Sequence, residues 1–152
     1  MVTHNKILHT LPEHGWCFIC GSENPNSLGV RWRLMDDHSI TAEVNLSLAQ
    51  QGPPGFAHGG ASAGLIDEAM GSAVWAAGHQ VVAVELKINY HKPLPLKKTI
   101  TVRGWISSRE GRAIHTAGEI LLEDGTLAVS GNGVYVEAPQ FFIDLWKHIK
   151  TS

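Results

Sequence analysis

The second half of the chain reads as one strand after another. Val81–Tyr90, Thr99–Ile106, Ala113–Leu122 and Thr126–Val136 are rich in β-branched residues and carry apolar side chains on every second position or nearly so. That is the period of a strand with one buried face. Asp124-Gly125 is a strong hairpin signal between the last two, and Lys92-Pro93-Leu94-Pro95 breaks the run after the first. Nearer the start, Val30–Met35 and Ile40–Leu46 alternate on either side of Asp36-Asp37-His38 and predict a further hairpin.

One segment follows a different rule. From His58-Gly59-Gly60, about 19 residues rich in Ala, Leu, Met and Trp run without proline to Gly78, a favoured C-terminal stop. It predicts a helix that is apolar or small nearly all round, which calls for burial on most sides. The loop before it, Gln50–Phe56, holds two prolines and two glycines and excludes both helix and central strand. After Pro139 the stretch Gln140–Ile149 predicts a short amphipathic helix. Residues 1–16 are polar, His-rich and aperiodic and predict a loose leader. The expected division is leader 1–16, one domain over 17–138 and a helical tail over 139–152.

Strands in series with one segregated helix mean α+β, not alternating βαβ units. A helix of 19 residues spans about 28 Å, and strands of 8–11 residues at about 3.3 Å per residue reach a similar length. An antiparallel sheet wrapped around one long central helix is the economical architecture.

The 152 residues suit a single domain. A formal net charge of −2 argues against a nucleic-acid binder, which would carry a basic excess. Asp67 and Glu68 sit in the middle of the long apolar segment, where a bilayer would penalise each charge, so no membrane association is expected. No basic, apolar and small-residue series marks a signal peptide, and two cysteines three positions apart make no disulfide framework. A cytoplasmic protein is the expectation.

Asp67 and Glu68 are the only charges between His58 and His79. A carboxylate on an apolar helix has to be paired, hydrogen-bonded or neutralised. Neighbours on a helix point about 100° apart, so one is expected to serve a site and the other the structure. The plain alternative places one or both on an exposed stripe or has them cap a partner's helix. His58-Gly59-Gly60 opens the helix, where unpaired N–H groups and the partial positive charge suit an oxyanion. The plain alternative is that the glycines only permit a tight loop-to-helix entry.

Residues 52–71, Gly-Pro-Pro-Gly-Phe-Ala-His-Gly-Gly-Ala-Ser-Ala-Gly-Leu-Ile-Asp-Glu-Ala-Met-Gly, resemble the His-Gly-Gly…Asp signature of hotdog thioesterases of the phenylacetate-degradation (PaaI-like) group. Glu85–Pro93 is similar to that family's strand after the helix, Gly125–Tyr135 to its closing strand, and Cys17-Phe-Ile-Cys-Gly…Asn24-Pro25…Leu28-Gly29 to a leader of one bacterial branch. The resemblance covers about residues 16–137 and implies a hotdog fold, hydrolysis of acyl-CoA-type thioesters without a cofactor, and a homodimer or homotetramer with its site at the subunit interface. By resemblance, Asp67 is the nucleophile or general base, the Gly59 N–H polarises the thioester carbonyl, His58 lines the site and Gly60 helps bind substrate. Two positions depart from the family: Gly52 stands where an Asn is frequent, and Ala83 where a hydroxyl is frequent. Gln51 and Glu85 are the nearest substitutes for placing substrate.

Two further readings stand beside the hydrolase. One is a non-catalytic module that binds acyl thioesters; the other is an enoyl-thioester hydratase or dehydratase using His58 and Glu68. His14, Cys17 and Cys20 form a His-x2-Cys-x2-Cys cluster, three ligands where a closed zinc site needs four. The fourth would have to come from His9 or a second subunit. The expectation is therefore no metal, with the cysteines packing as small apolar groups. Trp32, Trp75 and Trp105 are expected in the core.

Overall fold

The computed structural model describes residues 5–151, so residues 1–4 of the expected leader and Ser152 of the tail lie outside the described residues. Seven antiparallel strands form one sheet: β1 (Ile7–Thr10), β2 (Arg33–Met35), β3 (Ile40–Asn45), β4 (Val81–Tyr90), β5 (Thr99–Glu110), β6 (Ala113–Leu121) and β7 (Leu127–Glu137). Their spatial order is β1-β2-β3-β5-β6-β7-β4. The helix α1 (Gly59–Ala76) packs against β3 through β7, and α2 (Pro139–Thr151) follows the sheet. This is the predicted α+β architecture, a hotdog fold.

The alternation read from the sequence becomes burial. Along β6 every second residue is buried, and β3 and the first half of β5 do the same. Their inward side chains, among them Ile40, Ile100, Val102, Ile114 and Ile120, meet Leu65, Ile66, Met70 and Val74 of α1 in one core. The helix stops as its sequence predicts. Gly78 adopts φ +94°, its N–H bonds the Trp75 carbonyl at 2.9 Å and the His79 N–H bonds that of Val74 at 3.3 Å. This paired closure satisfies two orphan carbonyls.

Three expectations need correction. The leader is not loose throughout, because Ile7–Thr10 pairs with β2 as an edge strand. Second, β2 begins at Arg33 and not at Val30, because the Val30 N–H bonds the Ile19 carbonyl and the Trp32 carbonyl receives the Leu11 N–H. The leader thus takes bonds that a neighbouring strand would have taken. Third, α1 is not enclosed on most sides within one chain. Gly60 and Trp75 are exposed and Gly64, Asp67, Glu68 and Gly71 half-buried, an open stripe along its length.

Candidate active site

Asp67 and Glu68 leave the helix in different directions and meet different partners. The Tyr135 hydroxyl, from β7, lies 2.6 Å from Asp67 Oδ1 and 2.8 Å from the Asp67 carbonyl, donating toward both. Tyr135 is 4% exposed, and burial, then the hydrogen bond to Asp67 and its charge, push its phenol above the usual tyrosine range. It stays a neutral donor aimed at a carboxylate. Glu68 accepts from Cys17 Sγ at 2.8 Å and from Trp32 Nε1 at 2.8 Å.

A cavity of about 400 Å³ opens over this part of α1, lined by Cys17, Phe18, Asp67, Glu68, Trp75 and Tyr135 among others. Beyond Phe18 lies a second cavity of about 700 Å³, which reaches Gln50, Gln51 and His58. Both volumes fall in the range of small-molecule sites, about 300–1,000 Å³. Gly59 opens instead onto a separate cavity of about 320 Å³ with Pro53, Tyr90, Lys92 and Leu94.

His58 is the N-cap of α1. Its Nδ1 accepts the Gly60 N–H at 2.8 Å, which assigns the ring proton to Nε2. The Gly60 N–H is thereby engaged within the chain. Among the described residues the Gly59 N–H has no hydrogen-bond partner, while its carbonyl accepts from Tyr90 Oη at 2.8 Å. Eight residues at about 1.5 Å each set the Gly59 N–H and Asp67 about 12 Å apart along α1. One chain does not bring them to one thioester.

The other predicted positions disperse. Gln51 is exposed at the cavity rim, and its Oε1 accepts the Gly55 N–H at 3.0 Å. Glu85 is exposed on β4 just past a bulge between Ala83 and Glu85. Ile88 packs on the core, so strand alternation turns Glu85 to the face away from α1. Gly52 is glycine for a steric reason: a Cβ there would stand 2.8 Å from the His58 Cα. Ala83 lines the Asp67 cavity and pairs with Tyr135 across the strands.

The hydratase pairing of His58 with Glu68 is not assembled within the chain, because ten helical residues, about 15 Å, separate them. Trp32 is core at 3% exposure, but Trp75 is not. It is 42% exposed, contacts Phe142 edge-on at 5.0 Å and faces the Asp67 cavity. Trp105 is half-buried under the Arg103 guanidinium at 5.5 Å. Tyr135 is the residue that sequence reasoning missed.

The family model of the thioesterase superfamily matches residues 54–129, half of the chain, and the chain belongs to that superfamily. The acyl-coenzyme A thioesterase THEM4 of Bos taurus is 35% identical over 95 residues, 62% of this chain and 36% of that protein. The Xenopus laevis counterpart is 33% identical over 96 residues, 62% of this chain and 40% of its own. This chain therefore spans well under half the length of these curated relatives. Among solved structures, a thioesterase superfamily protein superposes with a TM-score of 0.78 at 36% identity, covering 81% of this chain and 61% of that one. The E. coli PaaI protein from the phenylacetic acid degradation operon superposes with a TM-score of 0.69 at 19% identity, over 76% and 86% of the two chains, and shares the fold. Among the described residues no helix is long and apolar enough to cross a membrane.

Proposed function

We propose that this chain hydrolyses acyl-CoA-type thioesters to free acid and thiol, with Asp67 as general base or nucleophile. The observation that carries the reading is the half-buried Asp67 carboxylate, lining a cavity of about 400 Å³ and held by the Tyr135 hydroxyl at 2.6 Å. Superfamily membership supports the reaction class. The acyl-coenzyme A thioesterase name of the relatives supports the substrate class.

In the general-base form, Asp67 takes a proton from water as the water oxygen attacks the thioester carbon. The carbonyl oxygen gains negative charge, and an N–H donor at a helix start stabilises it. Collapse expels the thiolate, which is then protonated. The unpaired donor is at Gly59, about 12 Å away in the same chain. The proposed site therefore joins Asp67 of one copy to Gly59 of another. Two features favour such a homodimer. Among the described residues the strand β4 has one partner, β7, and so leaves an open edge carrying Val84 and Leu86 at 60% and 40% exposure. The open stripe of α1 runs alongside, and a bare edge of this kind is a ready pairing surface. Lys92 in the Gly59 cavity provides a cation for the CoA phosphates. The two free thiols suit a reducing, cytoplasmic setting.

The deciding experiment is a panel of acyl-CoA substrates assayed for thiol release. Release that depends on Asp67 supports the reading. Saturable acyl-CoA binding without release replaces it with the non-catalytic binding module.

A further inference from the structure

The Cys17–Gly21 segment winds around a sulfur atom. The Cys17 N–H bonds the His14 carbonyl at 2.9 Å and the Gly21 N–H bonds the Cys17 carbonyl at 2.9 Å. Inside that turn the N–H groups of Ile19 and Cys20 lie 3.4 and 3.5 Å from Cys17 Sγ. The turn closes only on a residue without a side chain, because a Cβ on Gly21 would sit 2.3 Å from the Gly15 carbonyl oxygen and 2.5 Å from the Cys17 nitrogen. Cysteine binds metal through its deprotonated sulfur, and this turn holds the Cys17 sulfur in a fixed position.

Two more donors converge on the same point. His14 Nδ1 is 3.4 Å from Cys20 Sγ, and Glu68 Oε1 is 2.8 Å from Cys17 Sγ. The four ligand atoms of His14, Cys17, Cys20 and Glu68 all lie within 4.8 Å of one another. A tetrahedral zinc site with metal–ligand bonds of about 2.0–2.3 Å has ligand–ligand separations of roughly 3.3–3.8 Å. Small side-chain rotations connect the two arrangements. Hydrogen bonding between a thiol and a carboxylate accounts for Cys17 with Glu68. It gives no reason for Cys20 and His14 to be directed at the same spot. The second Glu68 oxygen is held by the indole N–H of buried Trp32, the kind of outer partner that orients a metal-bound carboxylate.

We propose that His14, Cys17, Cys20 and Glu68 bind one Zn²⁺ in a closed structural site that fastens the leader to α1. Sequence spacing offered three ligands; folding brings up the fourth. Two sulfurs and an imidazole select zinc over magnesium, calcium or manganese. Binding releases the two thiol protons to solvent, leaves His14 neutral through Nδ1, and gives the site a net charge of about −1. The ion would fix one wall of the cavity that Asp67 shares, since Cys17 and Glu68 line it too. The proposal stands apart from the hydrolase reading and is decided by metal binding, not by activity.

The test uses the full chain purified without chelator. Elemental analysis should return about one zinc per chain, the content of a closed four-ligand site. Chelation should lower the melting temperature and added Zn²⁺ restore it. The chelated protein titrated with Co²⁺ should saturate at one equivalent with thiolate-to-cobalt charge-transfer absorption, lost in the Cys17→Ser/Cys20→Ser variant. Glu68→Gln should weaken the metal at least tenfold while leaving both thiolates on the cobalt. Should the cysteine variant fail to fold, the wild-type cobalt spectrum still decides. Absence of saturable one-to-one uptake by the wild type, uptake without thiolate absorption, or stoichiometric iron in place of zinc would each overturn the proposal.

Discussion

The Tyr135 hydroxyl reaches Asp67 across 68 positions of sequence and lies 2.6 Å from its carboxylate. Ala83, where the family resemblance leads one to expect a hydroxyl, is paired with Tyr135 on the neighbouring strand. A hydroxyl absent at 83 is thus present one strand over, in the same cavity. Tyr135→Phe keeps the ring and removes the donor. Hydrogen bonds to charged groups are worth about 1.5–3 kcal/mol. We expect thiol release to fall on the order of tenfold with KM little changed, because the bond orients the base and does not hold substrate. Unchanged kcat would reduce Tyr135 to a packing residue.

The same phenol makes a prediction about alkaline stability. Its folded pKa is raised, by burial first and then by Asp67, above the ordinary value of 10.0. Above about pH 10 the unfolded chain releases this proton while the folded protein keeps it. The folded state then binds more protons, so stability falls as pH rises. Its contribution is complete below about pH 10 and is progressively lost above that value. Urea unfolding at several pH values from 8 to about 11 should show the loss in the wild type and a shallower loss in Tyr135→Phe.

Asp67→Asn retains size and an oxygen that accepts from Tyr135. Turnover should fall by roughly 10²–10⁴-fold, the usual contribution of a general base. Acyl-CoA binding, followed by calorimetry, should persist. Glu68→Gln should act mainly on stability, because Glu68 is engaged by Cys17 and Trp32 and not by the Asp67–Tyr135 pair. A reversed ranking in kcat would move the chemistry to Glu68.

Residue 52 shows how a family pattern is limited by local space. Gly52→Asn would install the amide that the family resemblance leads one to expect, but its Cβ has only 2.8 Å to the His58 backbone. Forcing a side chain into a filled position costs about 1–3 kcal/mol. Because His58 caps α1 beside Gly59, the shift should also reduce turnover. A lower melting temperature together with weaker activity is the expected pair. Stronger activity would mean that the loop relaxes to admit the amide.

The hairpins were legible because burial of one face imposes a period on the residues, as β6 shows, and the long helix because its apolar run is unbroken by proline. The strand β1 left no trace, since all four of its residues are exposed and carry no alternation. Trp75 looked like core because an aromatic on an apolar helix usually is; its position on the open stripe depends on which way α1 is rotated. Tyr135 and the partners of Glu68 escaped for a shared reason. The pairs are 36 to 68 positions apart, and a tyrosine at an inward strand position looks like ordinary packing. Local pattern encodes which face is buried, not which distant donor meets it.

The distance along α1 gives the last prediction. If the carbonyl donor and the base come from different copies, two inactive variants should complement each other. Gly59→Pro removes the one N–H of interest with little strain on the helix, because proline is welcome at a first helical position. The residue before it, His58, already holds φ −63° and ψ 139°, the extended geometry that a following proline requires. A Cβ at this position would first meet the end of the Tyr90 side chain, at 3.1 Å. Alone, Gly59→Pro should lose about 10²–10³ in kcat, as removal of an oxyanion donor does. Mixed with Asp67→Asn under subunit exchange, half of the dimers become hybrids. In each hybrid, Asp67 of the first variant faces Gly59 of the second and forms one intact site. Activity should recover to about one quarter of wild type for a two-fold dimer. A site built within one chain would give no recovery, since each variant would bring its own defect to its own site. Sedimentation of the wild type at micromolar concentration should show at least a dimer, and a folded, active monomer would rule out the shared site.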